Sequence, residues 1–266
     1  MALFDLPLIL ELATLGLCTG FMAGLLGIGG GMIMVPFLLM ILTSRGYPEE
    51  YALKMAVATS LATICFTSLS SVYAHHKRGV VQWRLVRLLV PGLMIGTLLG
   101  AQVAVGIPVK VMSILFAVFV GFSATQMLLN RKPKPTRTLP GPVGTVAAGT
   151  VIGAMSALVG AGGAFVSVPF MTWCNVKIHE SVATSAALGF PIALFGTAGY
   201  IWAGRHIDHL PGAFGYLYLP GLLVISVASV CMAPLGARTA HRMDVRPLRK
   251  LFAMMLYALA AYFILR

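Results

Sequence analysis

Two stretches of this sequence place glycines between the end of one apolar run and a proline-bearing start of the next. Leu26-Gly27-Ile28-Gly29-Gly30-Gly31-Met32-Ile33-Met34-Val35-Pro36-Phe37 returns 133 residues later as Val159-Gly160-Ala161-Gly162-Gly163-Ala164-Phe165-Val166-Ser167-Val168-Pro169-Phe170. Clustered glycines followed by proline make poor continuous helix, so each stretch predicts a helix, a break and a second helix. A break at membrane depth leaves backbone N–H groups unpaired, which survives only against protein or a water-filled cavity. With no Cβ in the way, an ion can approach that backbone closely. The helices beginning at Met32 and Phe165 would aim their positive dipole ends at it. That chemistry suits an anion.

Hydroxyls recur in the same paired way. Val57-Ala58-Thr59-Ser60 returns as Val182-Ala183-Thr184-Ser185. A hydroxyl can donate to a desolvated oxyanion, or bond back to a carbonyl of its own helix. The candidate pocket is therefore lined by Gly29, Gly30, Gly31, Thr59 and Ser60, with Gly162, Gly163, Thr184 and Ser185 as its other half. The competing use of such glycines is close helix packing. The ladders Gly16/Gly20/Gly24 and Gly92/Gly96/Gly100 are expected to serve that use.

Other chemistries find little support. The seven acids, Asp5, Glu11, Glu49, Glu50, Glu180, Asp208 and Asp244, fall at helix ends or in loops, so a buried-acid proton relay is not expected. Cys18, Cys65, Cys174 and Cys231 stand singly in apolar segments and predict neither a metal site nor a disulfide framework. No Walker loop, HExxH or nucleophile–base arrangement occurs, so no enzyme activity, cofactor or ATP-driven step is expected. The net charge of +12 sits in short connectors, where topology explains it better than nucleic acid does.

The elements that must carry these residues are membrane helices. Of 266 residues 59% are hydrophobic and 10% charged, too few charges to clothe a soluble domain of this size. Charge-free runs such as Leu88–Ile107 are long enough to cross a ~30 Å hydrocarbon core. Further matches keep one order: Pro91-Gly92 with Pro220-Gly221, Gly100-Ala101 with Gly236-Ala237, and Leu115-Phe116-Ala117 with Leu251-Phe252-Ala253. The chain divides into a first transmembrane repeat over 1–129, a basic proline-rich linker over 130–141 and a second repeat over 142–266. Expected helices are 6–26, 32–42, 52–75, 85–107 and 109–129, then 142–159, 165–174, 181–203, 214–237 and 247–265.

Connector charge decides between two arrangements. If each glycine-broken pair makes one crossing, the repeats are parallel and Lys/Arg divide 10 to 9 between the two sides. If it makes two crossings, or none, the second repeat is inverted and the division is 14 to 5. The positive-inside rule favours the inverted arrangement. The expected fold is an all-α polytopic membrane protein of two inverted repeats, with 8–10 transmembrane segments and glycine-broken hairpins.

The glycine-broken hairpin, the Val-Ala-Thr-Ser segment and their repetition resemble the TauE/SafE family, the sulfite exporter-like permeases. The likeness spans nearly the whole chain, including the basic linker and the closing Leu251-Phe252-Ala253 helix. It implies a plasma-membrane permease of a prokaryote, moving small anions such as sulfite or organosulfonates, with about eight spans. Ala164 departs from the glycine run of the first copy. The expected function is a secondary transporter working by alternating access, with a small anionic substrate, a proton or sodium coupling ion and the lipid bilayer as partners. A passive anion channel is the first alternative, and a membrane-embedded sulfur-handling enzyme or assembly factor the second. The glycine ladders also leave a homodimer open, since they pack helices between chains as readily as within one.

Overall fold

A computed structural model of the chain describes residues 5–26, 30–77, 79–129, 138–207, 210–240 and 246–265. Gly29 and residues 130–137 of the expected linker lie outside them. The first half contains α1 (Leu6–Leu26), α2 (Gly31–Ser44), α3 (Glu49–Lys77), α4 (Trp83–Gly106) and α5 (Val109–Leu129). The second contains α6 (Pro142–Val159), α7 (Ala164–Trp173), α8 (Ile178–Ala203), α9 (Leu219–Ala240) and α10 (Arg246–Leu265). The protein is all-α and polytopic. Seven of these helices meet the length and apolarity needed to cross a membrane, and α2, α7 and most of α10 are shorter apolar segments. With 14 and 10 residues, α2 and α7 are about 21 and 15 Å long, short of a ~30 Å core. They are the return arms of hairpins whose other arms are α1 and α6.

One element differs from expectation. The sequence predicts a helix from residue 214, the fourth of the second half, but residues 213–218 form a two-strand ribbon, β1 (Ala213–Phe214) and β2 (Leu217–Tyr218). Gly212 and Gly215 there have φ of 69° and 60°, the left-handed region that ends a helix. Helix α9 starts only at Leu219, with Pro220 in its first turn.

α3 and α8 pack on each other and form the centre: 61% and 56% of their apolar windows are buried, against 33–44% in the other spans. Around them α1 packs on α9, α6 on α4, and α5 on α10. Small residues set the first two contacts. Gly16 meets Ile225 and Ala228, Gly20 meets Ser229, and Gly236 meets Phe21, so α1 and α9 run in the same direction. Gly92 meets Val146, Gly96 meets Thr150 and Gly100 meets Ala154, so α4 and α6 do too. These contacts match when α4 is superposed on α9 at an offset of 136, the offset of the Gly100/Gly236 and Leu115/Leu251 pairs. The Pro91/Pro220 match lies seven residues, about two turns, out of that register. Lipid-facing side chains such as Val118, Val227 and Leu251 are more than 60% exposed, forming the perimeter expected in a bilayer.

Polar contacts fix which helix ends lie together. Arg45, just after α2, pairs with Asp5, just before α1, at 2.6 Å, so the first hairpin leaves and returns at one end of the bundle. The Tyr47 hydroxyl donates to the Pro211 carbonyl at 2.6 Å, and Lys54 Nζ to the Val105 carbonyl at 2.8 Å. The β1–β2 ribbon and the C-terminus of α4 therefore share this Arg45 end. At the opposite end the Gln82 side chain bonds Glu180, joining the starts of α4 and α8. Since α6 runs with α4, the second hairpin leaves and returns at that Gln82 end. Lys77, Arg84, Arg87, Lys177 and Arg238 also lie there.

Candidate functional site

The two hairpins enter from opposite ends and their tips meet inside the bundle. Gly31, the first residue of α2, lies against the carbonyl of Gly160 at the end of α6. A Cβ built on Gly31 would overlap that oxygen and stand 2.9 Å from Ser60 Oγ. Ser60, fully buried in α3, donates to the same Gly160 carbonyl at 2.8 Å. Three elements thus converge on one carbonyl, and only glycine at 31 leaves room for it.

The second break is built on left-handed glycines. Gly160 has φ 69° and ends α6 with its N–H on the Ser156 carbonyl at 2.9 Å. Gly163 has φ 77° and precedes α7, where a Cβ would stand 2.5 Å from Ile192 Cδ1. Gly30 is similarly closed, since a Cβ would stand 2.6 Å from the Thr19 carbonyl oxygen. Gly162 is the roomy member: among the described residues its Cβ would meet only Ile64 Cγ2 within 4 Å, at 3.5 Å. The N–H groups of Gly31 and Met32 at one tip, and of Ala164 and Phe165 at the other, have no acceptor among the described residues. Among the described residues, two helix starts therefore carry backbone donors without an acceptor, and the first lies against the Gly160 carbonyl.

The paired hydroxyls divide by role. Thr59 Oγ1 accepts the N–H of Tyr218, the residue before α9, at 3.0 Å. Thr184 Oγ1 accepts the N–H of Gln82, the residue before α4, at 3.1 Å. Tyr218 and Gln82 are 136 residues apart, so each threonine anchors the start of the fourth helix of the other half. These two threonines hold helix ends, at opposite ends of the bundle. Ser60 faces the tips, whereas Ser185 shares a hydrogen bond with Ser167 of α7 at 2.7 Å. Ser60, Gly31, Gly160 and Gly162 come together; Thr59 and Thr184 stand apart from each other. Thr184→Val keeps the side-chain shape but leaves the Gln82 N–H without its acceptor, which costs about 1–3 kcal/mol for a buried group. A lower thermal midpoint in detergent, with Val151→Ala as an exposed, lipid-side comparison, is the expected measurement.

Two contributors escaped sequence reasoning. Lys54 is only 5% exposed inside α3, and the signal was a lone cation within the apolar run 51–66. Tyr200 is fully buried in α8 and donates to the Ala157 carbonyl at 3.0 Å, one turn before the second tip. A phenol among α8's small residues gave little warning of that contact.

The sulfite exporter TauE/SafE family profile matches residues 12–263, nearly the whole chain and both hairpins. The chain belongs to the TauE/SafE family. A probable membrane transporter protein of Haemophilus influenzae is 34% identical over 247 residues, 92% of this chain and 94% of the relative. A probable membrane transporter protein of Bacillus subtilis is 29% identical over 84% of this chain and 87% of its own. One of Methanocaldococcus jannaschii is 24% identical over 98% of both chains. No solved structure matches. This TauE/SafE member is a multi-pass integral membrane protein and a transporter, not an enzyme.

Proposed function

We propose that this TauE/SafE protein is a secondary transporter of a small oxoanion, of the sulfite or organosulfonate class, in the plasma membrane of a prokaryote. It works by alternating access between two inverted repeats, driven by a proton or sodium gradient. The meeting of the hairpin tips carries this reading. Backbone N–H groups at the starts of α2 and α7 offer donors to an anion, and Ser60 can add its hydroxyl by releasing the Gly160 carbonyl. Inversion is supported by the hairpins returning to opposite ends and by the basic connectors at the Gln82 end, which is then cytoplasmic. Gly30, Gly31 and Gly163 are closely packed, which suits an occluded conformation whose tips must part for the anion to enter.

Purified protein in liposomes tests this. Counterflow of labelled sulfite or sulfoacetate that follows an imposed proton or sodium gradient, and is accelerated by unlabelled anion on the far side, is the expected result. Flux indifferent to both would make the protein a passive channel, and flux confined to carboxylates would discard the sulfur-oxoanion class.

A further inference from the structure

A second polar site lies near the Arg45 end, apart from the tips. Lys54, in the second turn of α3, donates from Nζ to the Val105 carbonyl at the C-terminus of α4 and stands 6.0 Å from the centroid of the Tyr216 ring. A helix C-terminus and a ring face each carry partial negative charge, but neither is a counter-ion. The ion pairs among the described residues involve Arg45 and Lys177, not Lys54, and Glu50 one turn earlier acts on its ammonium only through space. An ammonium has three donors, and Val105 is its one hydrogen-bond acceptor among the described residues. A buried cation so weakly compensated is costly, and inside a membrane helix it marks function more often than stability.

The surroundings connect this cation to the transport site. Tyr216, itself 4% exposed in the ribbon before α9, packs edge-on against Tyr200 with centroids 6.2 Å apart and tilted on Tyr51 at 6.4 Å. Tyr200 in turn bonds Ala157, one turn from the Gly160 tip. Burial, then the neighbouring Tyr51 and Glu50, push the Tyr216 phenol above its ordinary range, so it remains an O–H donor at physiological pH. The chain from Lys54 through Tyr216 and Tyr200 thus ends at the second hairpin.

We propose that Lys54 is the charge partner of the transported oxoanion at the Arg45-end mouth of the pathway, with the Tyr216 phenol as a second donor. The ammonium exchanges the Val105 carbonyl for an anion oxygen when the 213–218 ribbon moves aside. This rests on the anion-transporter reading above. It predicts a preference for anions presenting two or more oxygens, such as sulfite or a sulfonate, over halides.

The test uses the full chain in lipid nanodiscs, titrated calorimetrically with sulfite, sulfoacetate and chloride at fixed ionic strength. Wild type should bind an oxoanion, Lys54→Arg should retain binding, and Lys54→Gln should weaken it about tenfold or more, the scale of a lost charge-assisted hydrogen bond. Gln can still donate to Val105, so a purely structural role predicts equal affinity in Lys54→Gln. That result would overturn the assignment and leave the transporter reading intact. Absence of oxoanion binding in wild type would overturn both. Ligand-free thermal midpoints check the fold. If Lys54→Gln does not fold, Tyr216→Phe takes its place, with a several-fold loss expected and unchanged affinity counting against the site.

Discussion

Replacing Gly31 by alanine is expected to stop transport while leaving the chain folded and inserted. Alanine is a better helix residue than glycine, and Gly31 opens α2 with ordinary helical geometry, so the backbone itself does not object. The conflict is steric and local. The new methyl group would overlap the Gly160 carbonyl oxygen and crowd Ser60 Oγ at 2.9 Å, forcing apart the two tips and the hydrogen bond that joins Ser60 to Gly160. Overpacking of this kind costs about 1–3 kcal/mol, and 1.4 kcal/mol is already tenfold in a population or rate. Flux in liposomes should fall about tenfold or more at equal protein content. Gly106→Ala, where a Cβ meets nothing within 4 Å, is the matched control and should transport normally. Undiminished flux from Gly31→Ala would mean that the tip contact plays no part in the cycle.

Gly96→Ala should give the largest loss of stability among single glycine-to-alanine changes in the spans. A Cβ there would overlap the Thr150 carbonyl oxygen and stand 2.8 Å from Thr150 Cα. Both obstacles are backbone, which no rotamer change can move. Gly92 holds α6 equally close one turn earlier, with a Cβ only 2.9 Å from Thr150 N, so α4 cannot simply tilt away. The improved helix propensity of alanine, about 1 kcal/mol, offsets only part of that. Heat denaturation followed by tryptophan fluorescence in detergent should show a midpoint several degrees lower. Gly121→Ala, whose Cβ would find its nearest neighbour at 4.0 Å, should be neutral or stabilising. Equal midpoints for Gly96→Ala and Gly121→Ala would show that α4 and α6 can separate at little cost.

These outcomes separate two kinds of glycine that look alike in a string of letters. Gly92, Gly96 and Gly100 recur every fourth residue within one helix, and that spacing alone predicts a packing face, which is what α6 covers. Gly30, Gly31, Gly162 and Gly163 are clustered between helices and predict a break. The break was legible, but its occupancy was not. Gly30, Gly31 and Gly163 are pressed against Thr19, Gly160 with Ser60, and Ile192, whereas Gly162 keeps space around it. Which glycine faces a neighbour depends on other helices, and at Gly31 on a helix of the opposite half. The paired threonines carry the same lesson: their recurrence was plain, yet Thr59 and Thr184 spend their hydroxyls on Tyr218 and Gln82, partners set by the opposite half.

Apolar length and the scarcity of charge were enough to establish a polytopic helical protein, and the repeated glycine breaks to place a helix end at each. These are properties of a segment measured against a bilayer, and they need no knowledge of neighbours. The convergence of Gly31, Gly160 and Ser60, the cross-half anchoring of α4 and α9, and the burial of Lys54 beside Val105 and Tyr216 were decided only by the tertiary structure. Each depends on which helix faces which, and the interior packing that settles this joins residues from opposite halves of the chain.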